Sequence, residues 1–343
     1  MDLSERKKKI LSAVIETNIK SKQAEAVSSK QLQEEFMPKV SSATIRNELN
    51  ALESMGYLKQ LHTSGGRVPT SLAYKEYVNT LLENDKVDTK AIQKVLSSYE
   101  DKSVSLISTL STLAKRLSRV TNCPTVLVQH GLQNLSIVNI QIIPLIQKDA
   151  LLLVETNAGI IDDNIALDSN IDRSACLEAS DYLTKHFKGR TIGYLIDNIS
   201  SICLKAGAQI LQFKDLIESV ADTLIQVIKT KCDVTNENPT KMLDGLSKVE
   251  FDDTKNVFEF LENDDNIINV VTANDNNLNF TIGDETSENL KGGMLMSAPI
   301  VINGVPIASL ALVGPKRIDY ANVAAALKFI VSQIDNLKGD NNG

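Results

Sequence analysis

Between Ser41 and Glu53 the chain reads Ser-Ser-Ala-Thr-Ile-Arg-Asn-Glu-Leu-Asn-Ala-Leu-Glu. Ile45, Leu49 and Leu52 recur at helical spacing and make one apolar stripe. At roughly 100° per residue, Ala43, Asn47 and Asn50 stand on the opposite side, flanked by Thr44 and Arg46. Ser41 or Ser42 can cap the helix. The polar side carries no carboxylate at its centre. Its chemistry is recognition: Asn pairs bidentately with adenine and Arg with guanine. A small Ala43 lets the backbone come close or meets a thymine methyl, and the first-turn amides can meet a phosphate. An ordinary amphipathic surface helix has the same pattern, so the neighbouring segments decide between the two.

Gly56 suits a left-handed position after Met55. Tyr57 to Leu61 reads as a short strand. His62-Thr63-Ser64-Gly65-Gly66-Arg67 reads as a flexible turn, Val68 resumes the strand and Pro69 stops it. A helix-turn-helix followed at once by a Gly-rich hairpin is a winged helix. Arg67 is then expected near the DNA backbone or in a narrow minor groove, where negative potential is strongest. His62 is either a further contact or a satisfied surface histidine. The candidate DNA-binding residues are therefore Ser42, Thr44, Arg46, Asn47, Asn50, His62 and Arg67.

The elements that must position these residues are legible upstream and downstream. Asp2, with Glu5 three residues on, can cap a helix from about Leu3 to Lys20. Its stripe is Ile10, Leu11, Val14 and Ile15, and Arg6 to Lys9 form a basic cluster. Ser28 followed by Gln31 fits a capping box for a second helix, which Pro38 ends. Thr70 starts another helix, with Leu72, Tyr74, Tyr77, Val78 and Leu81 as its apolar mass.

Charge agrees with this division. The 343 residues carry 36 Lys and Arg against 43 Asp and Glu, a formal charge of −7. Residues 1–80 hold 12 basic and 9 acidic residues, so the acidic surplus lies wholly in the remainder. DNA affinity follows the field at one surface, and an acidic body keeps the rest of the molecule off the phosphates.

Catalytic constellations are lacking in the sequence. His62, His130 and His186 share no metal-ligand spacing, and there is no HExxH, GxSxG, GxxxxGK[ST] or GxGxxG. The adjacent pairs Asp162-Asp163, Asp252-Asp253 and Asp264-Asp265 diverge in any regular element and read as solvated turn charges. Cys123, Cys176, Cys203 and Cys232 form no CxxC and read as buried free thiols in a reducing compartment. No cofactor, metal or enzymatic activity is expected. Leu295 to Gly314 is uncharged, but Pro299, Asn303-Gly304 and Pro306 make it two strands joined by an Asn-Gly turn rather than a membrane span. With no signal-peptide apolar region, the protein is expected in the cytoplasm, without membrane contact.

The fold class is α+β and multidomain. Residues 1–82 form the winged-helix domain. Residues 83–120 are a linker and a long helix, in which Leu106, Leu110, Leu113, Leu117 and Val120 have heptad spacing, suited to a sheet or a partner subunit. Residues 121–170 are strand-rich, 171–232 mostly helical around Leu216, Val220, Leu224 and Val227, and 233–338 strand-rich again. Strands are expected at Ile267–Thr272 and Phe280–Gly283, and a last helix at Tyr320–Leu337 carries Val323, Leu327, Ile330 and Ile334. Residues 339–343 are a disordered tail. The pattern is an α/β domain carrying a helical insertion.

Three segments bear a resemblance to a known family. They are Ser42 to Glu48 with His62 to Thr70, then Leu117-Ser118-Arg119-Val120-Thr121-Asn122, and Gly314-Pro315-Lys316-Arg317-Ile318-Asp319-Tyr320. Together they resemble the bacterial heat-inducible transcription repressor HrcA family. The resemblance implies a GAF-like α/β domain interrupted by a helical dimerising insertion at 171–232. It implies a homodimer that binds double-stranded DNA at an inverted-repeat operator of chaperone operons, with chaperonin as modulator of activity. By position it makes Thr44, Arg46 and Asn47 the recognition-helix residues and Arg67 the wing residue. Ser28-Ser29 stands where the family usually has Gly-Ser, and Gly65-Gly66-Arg67 alters the wing turn while keeping its Arg. A winged-helix repressor gated by a small metabolite in the GAF-like domain is the alternative expectation.

Overall fold

The computed structural model describes residues 3–21, 25–60, 66–83, 105–145, 149–166, 172–205, 214–229, 231–235, 248–272, 278–282 and 290–336. The expected linker at 84–90, the wing tip at 61–65 and the tail lie outside these residues, as does Asp2.

The first domain begins with α1 (Glu5–Lys20), whose N-cap is Ser4, with its hydroxyl accepting from the Lys7 amide, rather than Asp2. Helix α2 (Ser29–Glu35) is capped by Ser28, which accepts from the Gln31 amide as one half of the expected capping box, while the Gln31 side chain donates to Glu35. Helix α3 (Ser42–Ser54) is capped by Ser41 through the Thr44 amide. After Gly56, at φ +83°, strands β1 (Leu58–Gln60) and β2 (Arg67–Pro69) pair antiparallel. Val27 adds a third bridge by exchanging both main-chain hydrogen bonds with Arg67, each 2.9 Å. Helix α4 (Ser71–Glu83) closes the domain over the buried core of Ile10, Leu11, Val14, Ile15, Leu32, Ile45, Leu49, Leu52, Leu58 and Val78. Each such aliphatic side chain contributes about 1.5–3 kcal/mol by leaving water.

The body is built on an antiparallel five-stranded sheet. Its members are β3 (Thr125–Gln129), β7 (Lys231–Thr235), β8 (Asn279–Ile282), β9 (Gly293–Ile302) and β10 (Val305–Pro315), in the order β7-β3-β10-β9-β8. One face packs on α5 (Leu106–Thr121) and α11 (Tyr320–Asn336). The other packs on α9 (Lys248–Leu261) and α10 (Asp264–Thr272). With both faces of the sheet covered, the whole of β3 is buried, its polar ends Thr125 and Gln129 included. Leu127 enters the first core, and Val126 and Val128 enter the second beside Val257, Phe260, Ile267 and Val271. The uncharged stretch from Leu295 is the β9–β10 hairpin, with Asn303 at φ +51° and Gly304 at φ +78°, both left-handed as an Asn-Gly turn requires. Among the described residues, no helix is long and apolar enough to cross a membrane.

Between β3 and β7 lies a meander of β4 (Ile137–Pro144), β5 (Asp149–Thr156) and β6 (Gly159–Ala166). It packs with α6 (Arg173–Phe187), α7 (Ile192–Lys205) and α8 (Lys214–Ile228). Leu216, Val220, Leu224 and Val227 are all buried on α8, as their spacing foretold. The outer edge of β4 is covered by α6: Ser180 Oγ accepts from the Ile142 amide at 2.9 Å and Thr184 Oγ1 from the Ile140 amide at 3.0 Å. These bonds occupy amides that an edge strand otherwise offers to other chains.

Two expectations fail. Ile267–Thr272 is no strand but the larger part of α10, whose first turn holds Asp264 and Asp265. Its β-branched Ile and Val residues favour a strand locally, but burying Ile267 and Val271 one helical turn apart against the sheet outweighs that preference. Nor do the paired aspartates sit in turns. Asp162-Asp163 lies within β6, Asp252-Asp253 within α9 and Asp264-Asp265 at the start of α10.

Candidate nucleic-acid interface

Helix α3 presents the face its sequence foretold. Ile45, Leu49 and Leu52 are fully buried, while Ala43, Arg46, Asn47 and Asn50 are exposed. The helix is tied to both helices that precede it. Ser42 Oγ and Ser29 Oγ are 3.0 Å apart, which ties the recognition helix to the start of α2. Glu48 is 3.1 Å from Lys7 Nζ and 3.9 Å from Arg6, which ties it to α1. Lys8 pairs with Glu76 of α4 at 3.9 Å. Much of the basic cluster on α1 is thus engaged with acids of its own domain. Thr44 is half-buried, its hydroxyl 2.8 Å from that of the cap residue Ser41.

Arg67, expected near the DNA backbone or in a narrow minor groove, is paired here with side chains of its own domain. Its Nε donates to Glu53 Oε2 at 3.1 Å, and its Nη2 donates to Asn50 Oδ1 at 2.6 Å and lies 3.0 Å from Glu53. The side chain is only 13% exposed. The guanidinium fork therefore joins the base of the wing to the last two turns of the recognition helix, and Asn50 is oriented by it. His62 lies outside the described residues.

The structure so brings Arg46, Asn47 and Asn50 onto one open face with Ala43, and sets Ser42 and Thr44 at its shoulder as holding groups. Glu53, Ser29 and Glu48 escaped the sequence reading. One signal was available for Glu53: it follows Asn50 by three residues, so the two share a helix face and can grip one cation.

Nothing at this face suggests a metal, and among the described residues no group of three or more His, Cys, Asp or Glu is arranged to hold one. What the geometry offers is a polar helix, clear of its own core, next to a hairpin. That is a winged helix-turn-helix of the DNA-binding class, mounted on a separate α/β body.

Comparison with known proteins carries this further. Residues 2–83 match the family model described as winged helix-turn-helix transcription repressor, HrcA DNA-binding, and residues 107–324 match the HrcA protein C-terminal domain. The chain belongs to the HrcA family of transcription repressors. It is 28% identical to the heat-inducible transcription repressor HrcA of Ruminiclostridium cellulolyticum, over 98% of this chain and 97% of that one. It is 30% identical to the protein of the same description from Clostridioides difficile, over 96% and 98%. A crystal structure described as a hypothetical protein at 2.2 Å resolution shares the fold, with a TM-score of 0.69 at 21% identity over 98% of both chains.

Proposed function

We propose that this chain represses heat-shock (chaperone) operons by binding an inverted-repeat operator as a homodimer. The observation that carries the reading is the open Arg46-Asn47-Asn50 face, held rigid by its buried stripe and by the Ser29, Lys7 and Arg67 ties. Arg46 and Asn47 read base edges in the major groove, Ala43 lets the helix approach, and the first-turn amides of α3 meet a phosphate. Ser42 and Thr44 hold the entry angle, and Arg67 sets the wing against the helix. A two-fold dimer places two such helices about 34 Å apart, and its symmetry asks for a palindromic site.

The body then reads as a GAF-like domain, and its dimerising insertion, expected from the sequence at 171–232, is taken here as the whole block between β3 and β7. What supports this is the open antiparallel five-stranded sheet with helices on both faces, interrupted by a meander and three helices of its own. The description of the relatives as heat-inducible supports release of repression on heating, with chaperonin availability maintaining the binding form.

A gel shift with the full chain tests the reading. The probes are the inverted repeat upstream of the chaperone operon and a scrambled duplex, at one stated salt concentration, with and without chaperonin. Preference for the repeat by roughly 10³-fold, strengthened by chaperonin, is the expected result. Equal binding to both probes sinks the repressor assignment, and indifference to chaperonin removes that arm alone.

A further inference from the structure

Of the distinctive segments, Gly314 to Tyr320 is one that DNA reading leaves without a task. It runs from the end of β10 into α11, on the body, yet its side chains reach the winged-helix domain. Arg317 Nη1 donates to the carbonyls of Asn18 at 3.3 Å, Ile19 at 3.4 Å and Ser21. These are carbonyls at the C-terminal end of α1, where the helix leaves acceptors unpaired and its dipole is negative. Lys316 Nζ donates to Ser71 Oγ at the start of α4, at 3.3 Å. Tyr320 is wholly buried, its hydroxyl donating to the Lys316 carbonyl. Its ring centroid lies 5.6 Å from that of Tyr74, 6.4 Å from Tyr77 and 5.4 Å from Phe280. The Tyr74 hydroxyl returns to Asn18 Oδ1 at 2.9 Å, so the aromatic group and the end of α1 form one assembly.

The body therefore grips the reading head at two places, the C-terminus of α1 and the N-terminal half of α4. Holding two helices of the head removes the rotation that a contact with one leaves free. Helix α1 in turn holds the recognition helix through Lys7 and Glu48. We propose that Arg317 and Tyr320 are positioning residues for DNA reading: they fix the angle at which the body presents the winged-helix domain, and hence the separation of the two recognition helices. This rests on the dimeric operator reading above. Bivalent binding gains its advantage only when both heads can engage at once, so a loosened head loses selectivity for the spacing of half-sites before it loses the ability to read one.

The test uses full-length wild type, Arg317→Ala, Arg317→Lys and Tyr320→Phe. Fluorescence anisotropy at one salt concentration measures binding to the inverted repeat, to the same half-sites moved apart by about half a turn, or about 5 base pairs, and to a single half-site. Wild type is expected to prefer the native spacing by about tenfold or more. Arg317→Ala is expected to bind the native repeat about tenfold more weakly, to prefer its spacing by less than about threefold, and to bind the single half-site as wild type does. Arg317→Lys, which keeps the charge but not the planar fork, falls between them. Tyr320→Phe, which keeps the ring packing and loses one hydrogen bond, shifts the preference less than Arg317→Ala.

Unaltered spacing preference in Arg317→Ala overturns the proposal, and so does an equal loss on the single half-site, which would mark damage within the head. If Arg317→Ala does not unfold cooperatively on heating, Arg317→Lys is judged by the same two criteria. A wild type blind to spacing defeats the dimeric reading instead, which separates that failure from this one.

Discussion

At the scale of single residues, the interface divides into side chains that face outward and side chains that hold. Arg46 belongs to the first kind. If its guanidinium reads a guanine as proposed, Arg46→Ala is expected to cost about 1–3 kcal/mol of operator binding. Anisotropy titrations on operator and scrambled duplex decide it, since an equal loss on both assigns the residue to the phosphates. Arg67 belongs to the second kind. Its charge faces Glu53 and its fork orients Asn50. Arg67→Ala should weaken operator binding while leaving the slope of log K against log salt nearly unchanged. A slope reduced by roughly one contact would return Arg67 to the DNA backbone.

At the scale of elements, the wing depends on a close approach of backbones. A Cβ on Gly66 would meet the Val27 carbonyl oxygen at 2.5 Å and that of Ala26 at 2.6 Å. These are main-chain atoms of the bridge between Val27 and Arg67, so they cannot turn aside as a side chain can. Gly56 is strained in a different way: its φ of +83° is left-handed, but the space around it is open. Gly56→Ala is expected to cost about 1 kcal/mol through backbone strain alone. Gly66→Ala should cost about 2 kcal/mol or more, because it must also part the Val27 bridge. Urea unfolding of the two variants checks the order, and a smaller loss for Gly66→Ala would show that the bridge adjusts freely.

At the scale of the whole molecule, the junction between the head and the body buries titratable side chains. Burial pushes the Cys123 thiol from its ordinary 9.0 up to about 12, partly offset by the hydrogen bond from Thr121. Desolvation likewise raises the Tyr77 and Tyr320 phenols. A raised value in the folded state means that the unfolded chain ionises first. The stabilising contribution of Cys123 is therefore complete below about pH 9 and is lost as pH rises toward about 12. Folding stability should fall across that window, and Cys123→Ala should make the fall shallower by about 1.4 kcal/mol per pH unit. Urea unfolding of both proteins through the alkaline range measures it, and parallel slopes would show that the thiol titrates normally.

The sequence by itself determined whatever rests on local periodicity and turn chemistry. The stripe of Ile45, Leu49 and Leu52 decides which side of α3 is open, Ser28 and the Ser41-Ser42 pair mark helix starts, and Asn303-Gly304 makes a hairpin of an uncharged stretch. These outcomes depend on neighbours a few positions away. Three others did not: the helix at Asp264–Thr272, the partners of Arg67, and the hold of Arg317 on α1. Each depends on groups far apart along the chain, as Arg317 and Asn18 are, or on a sheet surface that exists only after folding. Packing can reverse a weak local preference, and one guanidinium can pair with any acceptor that folding brings near it. Only the tertiary structure chooses which.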